Sequence, residues 1–434
     1  MTLIQRLSRH PRGFWFVFWG ELAERASFYG MRTLLALYLI DEFKFDQGHA
    51  GQTVQFFIAA CYIMPLLGGI IADRYLGKFR TILYFSFPYI LGHILLGNAH
   101  EPIWMFAALF LLAMGSGSVK PNASTLMGSI YEKEGKTALL TEAFSIFYAA
   151  VNLGSAVTSL SLPIVRNMYG YRTALMVPTI AMIIAFFVFA MGKKLYPVEV
   201  IPSTVKKSAK QKAEERATLT RIAGIFTLIV GFWMVYDQYS STWIFLARDH
   251  MNLELWPFGI KLAADQVQGF NPIFIILFTP VFIWFWDFYE RKTGKPAPAT
   301  RKMITGFVLV VCCTLIMSGI GFFVGDGKVS VWFQLIATAV MALAELCISV
   351  VGLEFAYNVA SKETKSTVTA AFFVTIFAGN MLGGWLDGYY DKMAPGVFFG
   401  IQAIALACCT IAFHFVGRRF ENATARLVAT GQDR

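Results

Sequence analysis

Two carboxylates and a guanidinium interrupt an apolar run near the start of the chain, in GELAERASFYG at residues 20–30. At about 100° per residue of an α-helix, four charged residues share one stripe about 100° wide: Glu21, Glu24, Arg25 and Arg32. A charge at the centre of a membrane helix costs about 2.5–3.5 kcal/mol on insertion scales. The stripe is therefore expected to face neighbouring helices or a water-filled cavity.

The composition of the stripe suggests proton chemistry. Glu21 and Arg25 are four residues apart, a spacing that allows an ion pair on a helix. A carboxylate that burial drives towards neutrality and a guanidinium drives towards ionisation can take up and release a proton. We therefore predict proton coupling by Glu21, Glu24 and Arg25. A salt bridge that only locks helices together is the alternative, but it accounts poorly for Glu24 and Arg32.

Other charges lie inside apolar segments further along the chain. Lys120, in MGSGSVKPNAST, is followed by Pro121, which removes a backbone donor beside the ammonium. An internal cation of this kind predicts that the bound solute carries an anionic group. Asp237 and Glu345 lie in apolar segments of the second half. We expect Arg32 to pair with Asp237, and Lys120 with Glu345, as gates that open and close; a static bridge is the alternative for each pair.

The elements that must position these charges are membrane helices. Hydrophobic residues make up 56% of the 434 residues and charged residues 15%. This balance along the whole chain indicates an all-α polytopic membrane protein, because each span needs roughly 20 apolar residues to cross about 30 Å of hydrocarbon. Twelve apolar segments lie at approximately 14–40, 50–72, 79–98, 102–128, 140–165, 172–192, 222–246, 266–289, 303–324, 331–356, 366–388 and 395–416.

A basic stretch, STVKKSAKQKAEER at residues 203–216, separates the sixth segment from the seventh. It predicts a six-helix bundle at 1–192, a cytoplasmic linker at 193–221, and a second six-helix bundle with a short tail at 222–434. An amphipathic helix on the membrane surface is the alternative for the linker. Two six-helix halves around a central site are typical of secondary transporters.

The distribution of basic residues predicts the orientation. Lys and Arg concentrate in the loops on one side of the predicted spans, which predicts that both termini lie in the cytoplasm. We expect the membrane to be a bacterial inner membrane. The net charge of +10 then reflects topology in the lipid bilayer, and nucleic acid is not expected as a partner. The sequence shows no catalytic grouping and no metal-ligand spacing, so we expect neither an enzyme nor a cofactor. We also expect the protein to function as a monomer.

The loop GGIIADRYLGKFR, at residues 68–80, contains an Asp-Arg turn at the end of the second segment. Its glycines allow two helices to approach, and Asp73 can pair with cations across the loop. The loop resembles the signature that joins the second and third spans in the major facilitator superfamily. That resemblance implies a fold of twelve helices in two six-helix bundles.

Further stretches resemble one family within that superfamily, the proton-dependent oligopeptide transporters. GELAERASFYG is similar to the family's E-x-x-E-R-F-x-Y-Y-G, and FSIFYAAVNLGSAV is similar to F-Y-x-x-I-N-x-G-S-L. GSGSVKPNAST matches the Lys-Pro-Asn segment of the fourth helix, while FNPIFIILFTP and GLEFAY match the eighth and tenth helices. The matches spread over nearly the whole chain and together are highly specific.

The resemblance implies a proton-coupled symporter that imports di- and tripeptides by alternating access, with protons as the coupling ion. Arg25 and Lys120 would receive the peptide carboxylate. Glu345, Asn152 and Asn271 would hold its ammonium end. A zwitterion with variable side chains requires opposite charges at a set separation, together with an adaptable pocket.

The remaining roles follow from the same resemblance. Tyr29 and Tyr62 would hydrogen-bond the peptide backbone. Arg32, also in the substrate site, would form the outer gate with Asp237. Protonation of the first-helix carboxylates would loosen their hold on Arg25, so that peptide and proton move together.

The chain also departs from the family pattern. Ala26 replaces a Phe and Phe28 replaces a Tyr of the first motif, and Gln55 stands where animal relatives carry a proton-handling His. The linker at 193–221 is too short for the two extra helices of many bacterial members. A family member that moves nitrate, an amino acid or a peptide-like drug is the alternative function. We expect Asp387, near the end of its segment, at the membrane interface.

Overall fold

A computed structural model describes residues 7–198, 208–324, 328–360 and 364–429. Residues 199–207 of the predicted linker lie outside the described residues. In chain order the α-helices are α1 (Arg12–Asp41), α2 (Gln47–Ile71), α3 (Lys78–Asn98), α4 (Pro102–Lys133), α5 (Leu140–Met191), α6 (Ala209–Tyr236), α7 (Thr242–His250), α8 (Phe270–Thr293), α9 (Ala299–Phe323), α10 (Val331–Glu345), α11 (Val351–Val359), α12 (Lys365–Asp387) and α13 (Pro395–Ala429).

Short turns and strands connect these helices. The 3₁₀ turns are Thr137–Leu139, Gly192–Leu195, Asp237–Ser240, Ala264–Gly269 and Tyr390–Lys392, and the π turns are Ala72–Leu76 and Leu346–Val350. Two-residue strands form two small sheets. β1 (Met251–Asn252) pairs in parallel with β4 (Val329–Ser330), whereas β2 (Glu254–Leu255) and β3 (Ile260–Lys261) form an antiparallel hairpin.

Among the described residues, ten helical stretches are long and apolar enough to cross a membrane. One of them, Thr137–Leu195, contains two predicted segments, because Gly170 adopts φ 81° and ψ 170° and divides α5 into two helices. The ten do not include α1, whose middle carries the four charged residues of the predicted stripe. With α1 and the divided stretch, the described helices match the twelve predicted segments. The protein is a multi-pass membrane protein.

The chain forms two compact units. The first unit contains Met1–Phe45, Ala60–Val205 and Asp265–Ile273, and the second contains Asp46–Ala59, Lys206–Ala264 and Phe274–Arg434. The start of α2 therefore belongs to the second unit, and the start of α8 to the first. The domain boundaries that the basic stretch predicts, at residues 192 and 222, stay a prediction.

Within the first unit, α1 packs mainly against α5, and α3 packs against α4 and α5. Small residues allow these contacts. A Cβ at Gly154 of α5 would lie 3.1 Å from the backbone oxygen of Leu22 on α1, and a Cβ at Gly115 of α4 would clash with Tyr89 of α3. Close backbone approach through small residues is how helices pack in membranes. This close packing holds the charged face of α1 inside the first unit.

Within the second unit, α6 packs against α12, and α9 packs against both α10 and α13. A Cβ at Gly379 of α12 would clash with Trp233 of α6, so a glycine is required where these two helices meet. The π turn Leu346–Val350 lies directly after Glu345 and joins α10 to α11. Such turns within long helices occur frequently at functional sites.

Candidate functional site

The charged stripe of α1 is buried and internally paired. Arg25 binds Glu24 through two parallel bonds: Nε donates to Oε2, and Nη2 donates to Oε1 at 2.5 Å. The Nε atom also lies 3.3 Å from Oε1 of Glu21, which is the i, i+4 ion pair that the spacing allows. All three side chains are at most 2% exposed. We call these three residues the α1 charge cluster.

The α1 charge cluster contains more carboxylates than cations. Two carboxylates share one guanidinium, and Oε2 of Glu21 is buried with no hydrogen-bond partner in the structure. A buried carboxylate that is only partly paired carries a desolvation penalty of several kcal/mol. One proton on the cluster would remove a charge and supply a donor. The arrangement can therefore exchange a proton as its surroundings change.

Aromatic rings surround the cations. The Cζ atom of Arg25 lies 5.2 Å from the ring centroid of Phe28 and 6.0 Å from that of Tyr29. Nζ of Lys120 lies 5.4 Å from the ring centroid of Tyr62. Rings at this distance attract a cation electrostatically, more strongly where water is excluded. Tyr29 and Tyr62, both predicted site residues, thus accompany the two cations that are predicted to bind a carboxylate.

Lys120 is brought to this region by the local structure of α4. A Cβ at Gly117 would clash with the Cβ of Met64, so the glycine allows α4 to approach α2 closely. Pro121, inside the helix, interrupts the backbone ladder, and the hydroxyls of Ser124 and Thr125 donate to its carbonyl. Lys120 lies close enough to the α1 charge cluster to interact electrostatically with all of its members.

Three other predicted site residues also lie in the first unit. Arg32 is buried on α1, two turns beyond Arg25. The Nδ2 atom of Asn152 donates to the carbonyl of Tyr148 on its own helix, 3.0 Å away. Asn271, at the start of α8, is 4% exposed. The structure shows no hydrogen bond from Asn152 to the α1 charge cluster.

The second unit contains the predicted acidic residues. Glu345 ends α10, where the π turn begins, and the hydroxyl of Tyr236 hydrogen-bonds to its side chain. Asp237, which follows Tyr236, accepts a bond from Nδ2 of Asn380 at 3.0 Å and is 1% exposed. Glu345 and Asp237 are therefore linked through consecutive residues of one segment. The predicted pairs Arg32–Asp237 and Lys120–Glu345 join residues of different units and stay predictions.

Several buried polar contacts were not predicted. Arg166 of α5 forms an ion pair with Asp265, Nη1 to Oδ2 at 2.5 Å, and the carboxylate is 0% exposed. The hydroxyl of Ser27 donates to the carbonyl of Pro178 and lies 2.8 Å from Nε2 of His93. These partners are separated by between 66 and 151 residues, so no local pattern could have indicated them.

Protein encloses the side chain of Asp387, which its expected position at the membrane interface did not indicate. Its side chain is 0% exposed and is enclosed by protein, with the hydroxyl of Ser241 donating to Oδ2 at 2.7 Å. Its position near the end of α12 indicated the depth along the helix, but the burial depends on neighbouring segments. Within the described ranges, no group of three His, Cys, Asp or Glu side chains is arranged to hold a metal ion.

Comparison with known proteins gives the family. The model of the POT family matches this chain over residues 79–205 and 198–401, which is most of its length. The chain belongs to the POT family. It is a transporter and not an enzyme, as the sequence predicted, and the resemblance to the proton-dependent oligopeptide transporters is confirmed.

Relatives and structures agree with this membership in the POT family. An uncharacterized transporter of Bacillus subtilis (strain 168) is 26% identical over 452 residues, covering 90% of each chain. Peptide transporter 3 of Caenorhabditis elegans is 30% identical over 357 residues, covering 71% of this chain and 50% of its own length. The chain thus spans about half the length of the animal relatives it matches.

Solved structures confirm the fold. A crystal structure of an auto-inhibited POT family peptide transporter matches with a TM-score of 0.86 at 23% identity, covering 94% of this chain and 97% of that one. The fold class predicted from the sequence, an all-α membrane protein of the major facilitator type, is therefore correct for this POT family chain.

Proposed function

We propose that this POT family chain is a proton-coupled symporter that imports di- and tripeptides by alternating access. The observation that carries the proposal is the α1 charge cluster, in which two carboxylates share one guanidinium beside Lys120. Two acids and two bases give this region no net charge when all are ionised. A peptide carboxylate entering it adds one negative charge, which one proton on Glu21 or Glu24 would balance.

The balance of charge supplies a reason for coupling. In a low-dielectric region an uncompensated charge costs several kcal/mol, so binding of a carboxylate and binding of a proton favour each other. Protonation of Glu21 or Glu24 would weaken the hold of these groups on Arg25 and release the guanidinium for the peptide. Peptide and proton would therefore move together, with protons as the coupling ion and no other cofactor.

We assign the other roles residue by residue. Arg25 and Lys120 receive the peptide carboxylate, Tyr29 and Tyr62 bond to its backbone, and Arg32 contributes to the site and to the outer gate. In the second unit, Glu345 binds the ammonium group and Asp237 is the gate partner of Arg32. Asn152 and Asn271 assist in binding the ammonium end. We also propose a monomer in a bacterial inner membrane with both termini in the cytoplasm.

Uptake of labelled dialanine into proteoliposomes tests the proposal. The purified protein is reconstituted, and uptake is measured with and without an inward proton gradient, in competition with trialanine and with free alanine. We expect accumulation that requires the gradient and that trialanine blocks, whereas alanine does not. Accumulation of alanine or nitrate in place of the peptide, from a folded preparation, would contradict the assignment and favour a different substrate.

A further inference from the structure

Another buried carboxyl group, that of Asp387, lies far from the α1 charge cluster in sequence. Oδ2 of Asp387, at the end of α12, accepts a hydrogen bond from the hydroxyl of Ser241 at 2.7 Å. Oγ of Ser241 in turn accepts a bond from Nε2 of Gln55 at 3.0 Å. All three side chains are 0% exposed and belong to the second unit. We call Gln55, Ser241 and Asp387 the Asp387 cluster.

The hydrogen bonds within the Asp387 cluster leave two acceptor atoms without a donor. Oδ1 of Asp387 and Oε1 of Gln55 are both buried, and neither accepts a hydrogen bond in the structure. Leaving a buried acceptor unsatisfied costs about 1–3 kcal/mol, and more for a charged group. A proton on the carboxyl group would neutralise Asp387 and would add a donor to a cluster that has two unsatisfied acceptors.

No neighbouring cation neutralises this carboxyl group in place of a proton. The ionisable residues that follow Asp387 on its own segment are Tyr389, Tyr390, Asp391 and Lys392, and Nζ of Lys392 lies 4.8 Å from the ring centroid of Tyr389. Those nearby on neighbouring segments are Asp46, His49, Asp237, Tyr239, Arg248, Asp249 and His250. His49 pairs with Asp46, and Arg248 pairs with Asp249. In the parts of the chain that the structure describes, no Lys, Arg or His forms an ion pair with Asp387. The carboxylate form would therefore be a buried charge with only neutral hydrogen-bond donors.

The helices are packed closely around the cluster. A Cβ at Gly51 of α2 would lie 3.0 Å from Oδ2 of Asp387, and a Cβ at Gly384 of α12 would lie 3.1 Å from the Cβ of Gln55. The backbones of α2 and α12 approach closely at these two glycines. Because Asp387 is 0% exposed and lies at this close contact, separation of α2 and α12 would expose it to water.

We propose that Asp387 is a proton-binding site of the transport cycle, occupied while α2 and α12 are packed together and able to exchange its proton when they separate. An O–H bond forms at Asp387 as a hydronium ion in the aqueous phase gives up its proton, and it breaks when that proton passes back to water. This inference rests on the proposed proton-coupled transport, to which it adds a third carboxyl group besides Glu21 and Glu24.

The first test measures how many protons accompany the peptide. Proteoliposomes are held at zero membrane potential with a pH gradient of one unit, and the steady-state accumulation of dialanine is measured. One proton moved through one pH unit supplies 1.36 kcal/mol, a factor of about ten in accumulation. Asp387→Asn keeps the shape of the side chain but cannot bind the proton, so its accumulation should fall about tenfold.

Asp391→Asn is the matched control. Asp391 is an exposed carboxylate four residues further on, which accepts a bond from the backbone N–H of Gly48 at 2.5 Å. This variant should accumulate dialanine like the wild type. Equal accumulation by the wild type and by a folded Asp387→Asn variant would overturn the inference while leaving the proposed function in place.

The second test does not require transport. Infrared spectra of the purified protein at neutral pH should contain a carboxyl C=O band of a protonated Asp that Asp387→Asn removes and Asp391→Asn keeps. Ser241→Ala removes the hydroxyl that donates to the carboxylate, so the pH at which this band disappears should rise. If the wild type fails to accumulate dialanine, the proposed function fails, and the infrared band alone decides the proton site. Identical spectra for the wild type and Asp387→Asn would overturn the assignment of a proton to Asp387.

Discussion

Glu24 and Arg25 are adjacent in sequence and yet form a bidentate ion pair, with Nη2 of Arg25 donating to Oε1 of Glu24 at 2.5 Å and Nε donating to Oε2. Adjacent residues on a helix do not face each other, so helical spacing does not favour this pair. The pair leaves Glu21, at 3.3 Å from Nε, with the weaker contact to the same guanidinium. Glu21 is therefore the carboxylate that a proton neutralises at the lower cost.

Removal of Arg25 should be strongly destabilising. Arg25→Ala leaves two buried carboxylates without their cation, and breaking a buried pair in this way costs about 3–5 kcal/mol. Glu24→Ala combined with Arg25→Ala should cost less than the sum of the two single changes, because the double variant leaves only Glu21 without its cation, whereas Arg25→Ala alone leaves two carboxylates unpaired. Thermal unfolding of the purified variants in detergent gives the comparison. Additive costs would show that the pair contributes little to stability.

Glu21→Gln should abolish proton-driven uptake while peptide exchange remains detectable. The amide keeps the shape of the side chain but cannot take up the proton that balances the peptide carboxylate. Gradient-driven uptake and counterflow of labelled dialanine measure the two activities separately. Glu101→Gln, an exposed acid before α4, is the control and should behave like the wild type. Driven uptake by Glu21→Gln would exclude Glu21 from coupling.

Glu345→Ala should weaken binding of free dipeptides far more than binding of N-acylated ones, because only the free peptides carry an ammonium group. A lost charge-assisted hydrogen bond corresponds to about 1.5–3 kcal/mol, or roughly 10-fold or more in affinity. Binding of dialanine and N-acetyl-dialanine is measured by competition with a labelled peptide. Glu354→Ala, an exposed Glu on α11, is the control. Equal losses for both ligands would remove Glu345 from the ammonium site.

Gly117→Ala should destabilise the first unit, because the added Cβ clashes with the Cβ of Met64 and drives α4 away from α2. Overpacking of this kind costs about 1–3 kcal/mol. The same change would move Lys120 away from Tyr62 and should reduce peptide affinity. Gly128→Ala, on the same helix with nothing within 4 Å of its Cβ, should be neutral or stabilise by up to about 1 kcal/mol. Equal effects of the two changes would contradict the close approach at Gly117.

His10 should make stability depend on pH. Its Nδ1 lies 2.5 Å from the hydroxyl of Tyr131, and burial lowers the pKa of His10 below its ordinary value of 6.5. The unfolded chain then binds the proton more readily, so this contribution to stability is complete above pH 6.5 and is lost as the pH falls below that value. Melting temperatures of the wild type and His10→Gln at several pH values test this. Parallel curves below pH 6.5 would rule it out.

The helical stripe and the membrane spans were predictable because both depend on residues that are close in sequence. The stripe of Glu21, Glu24, Arg25 and Arg32 requires only that this segment be helical, since the 3.6-residue repeat then places them on one face. The spans follow from composition, because lipid demands long apolar helices. The sequence also separated the segments at 140–165 and 172–192, and Gly170, which divides α5, lies between them.

The partners of the buried charges were not predictable in the same way. Asp265 binds Arg166, which is 99 residues distant, and Asp387 binds Ser241, which is 146 residues distant. Such contacts depend on which helices pack together and on where glycines allow close approach. The sequence by itself therefore determined the spans and the charged face of α1, which are consequences of local geometry and solvent. Only the tertiary structure decided that Arg25 binds Glu24 more closely than Glu21 and that Asp387 is buried beside Ser241, because these depend on many long-range contacts acting together.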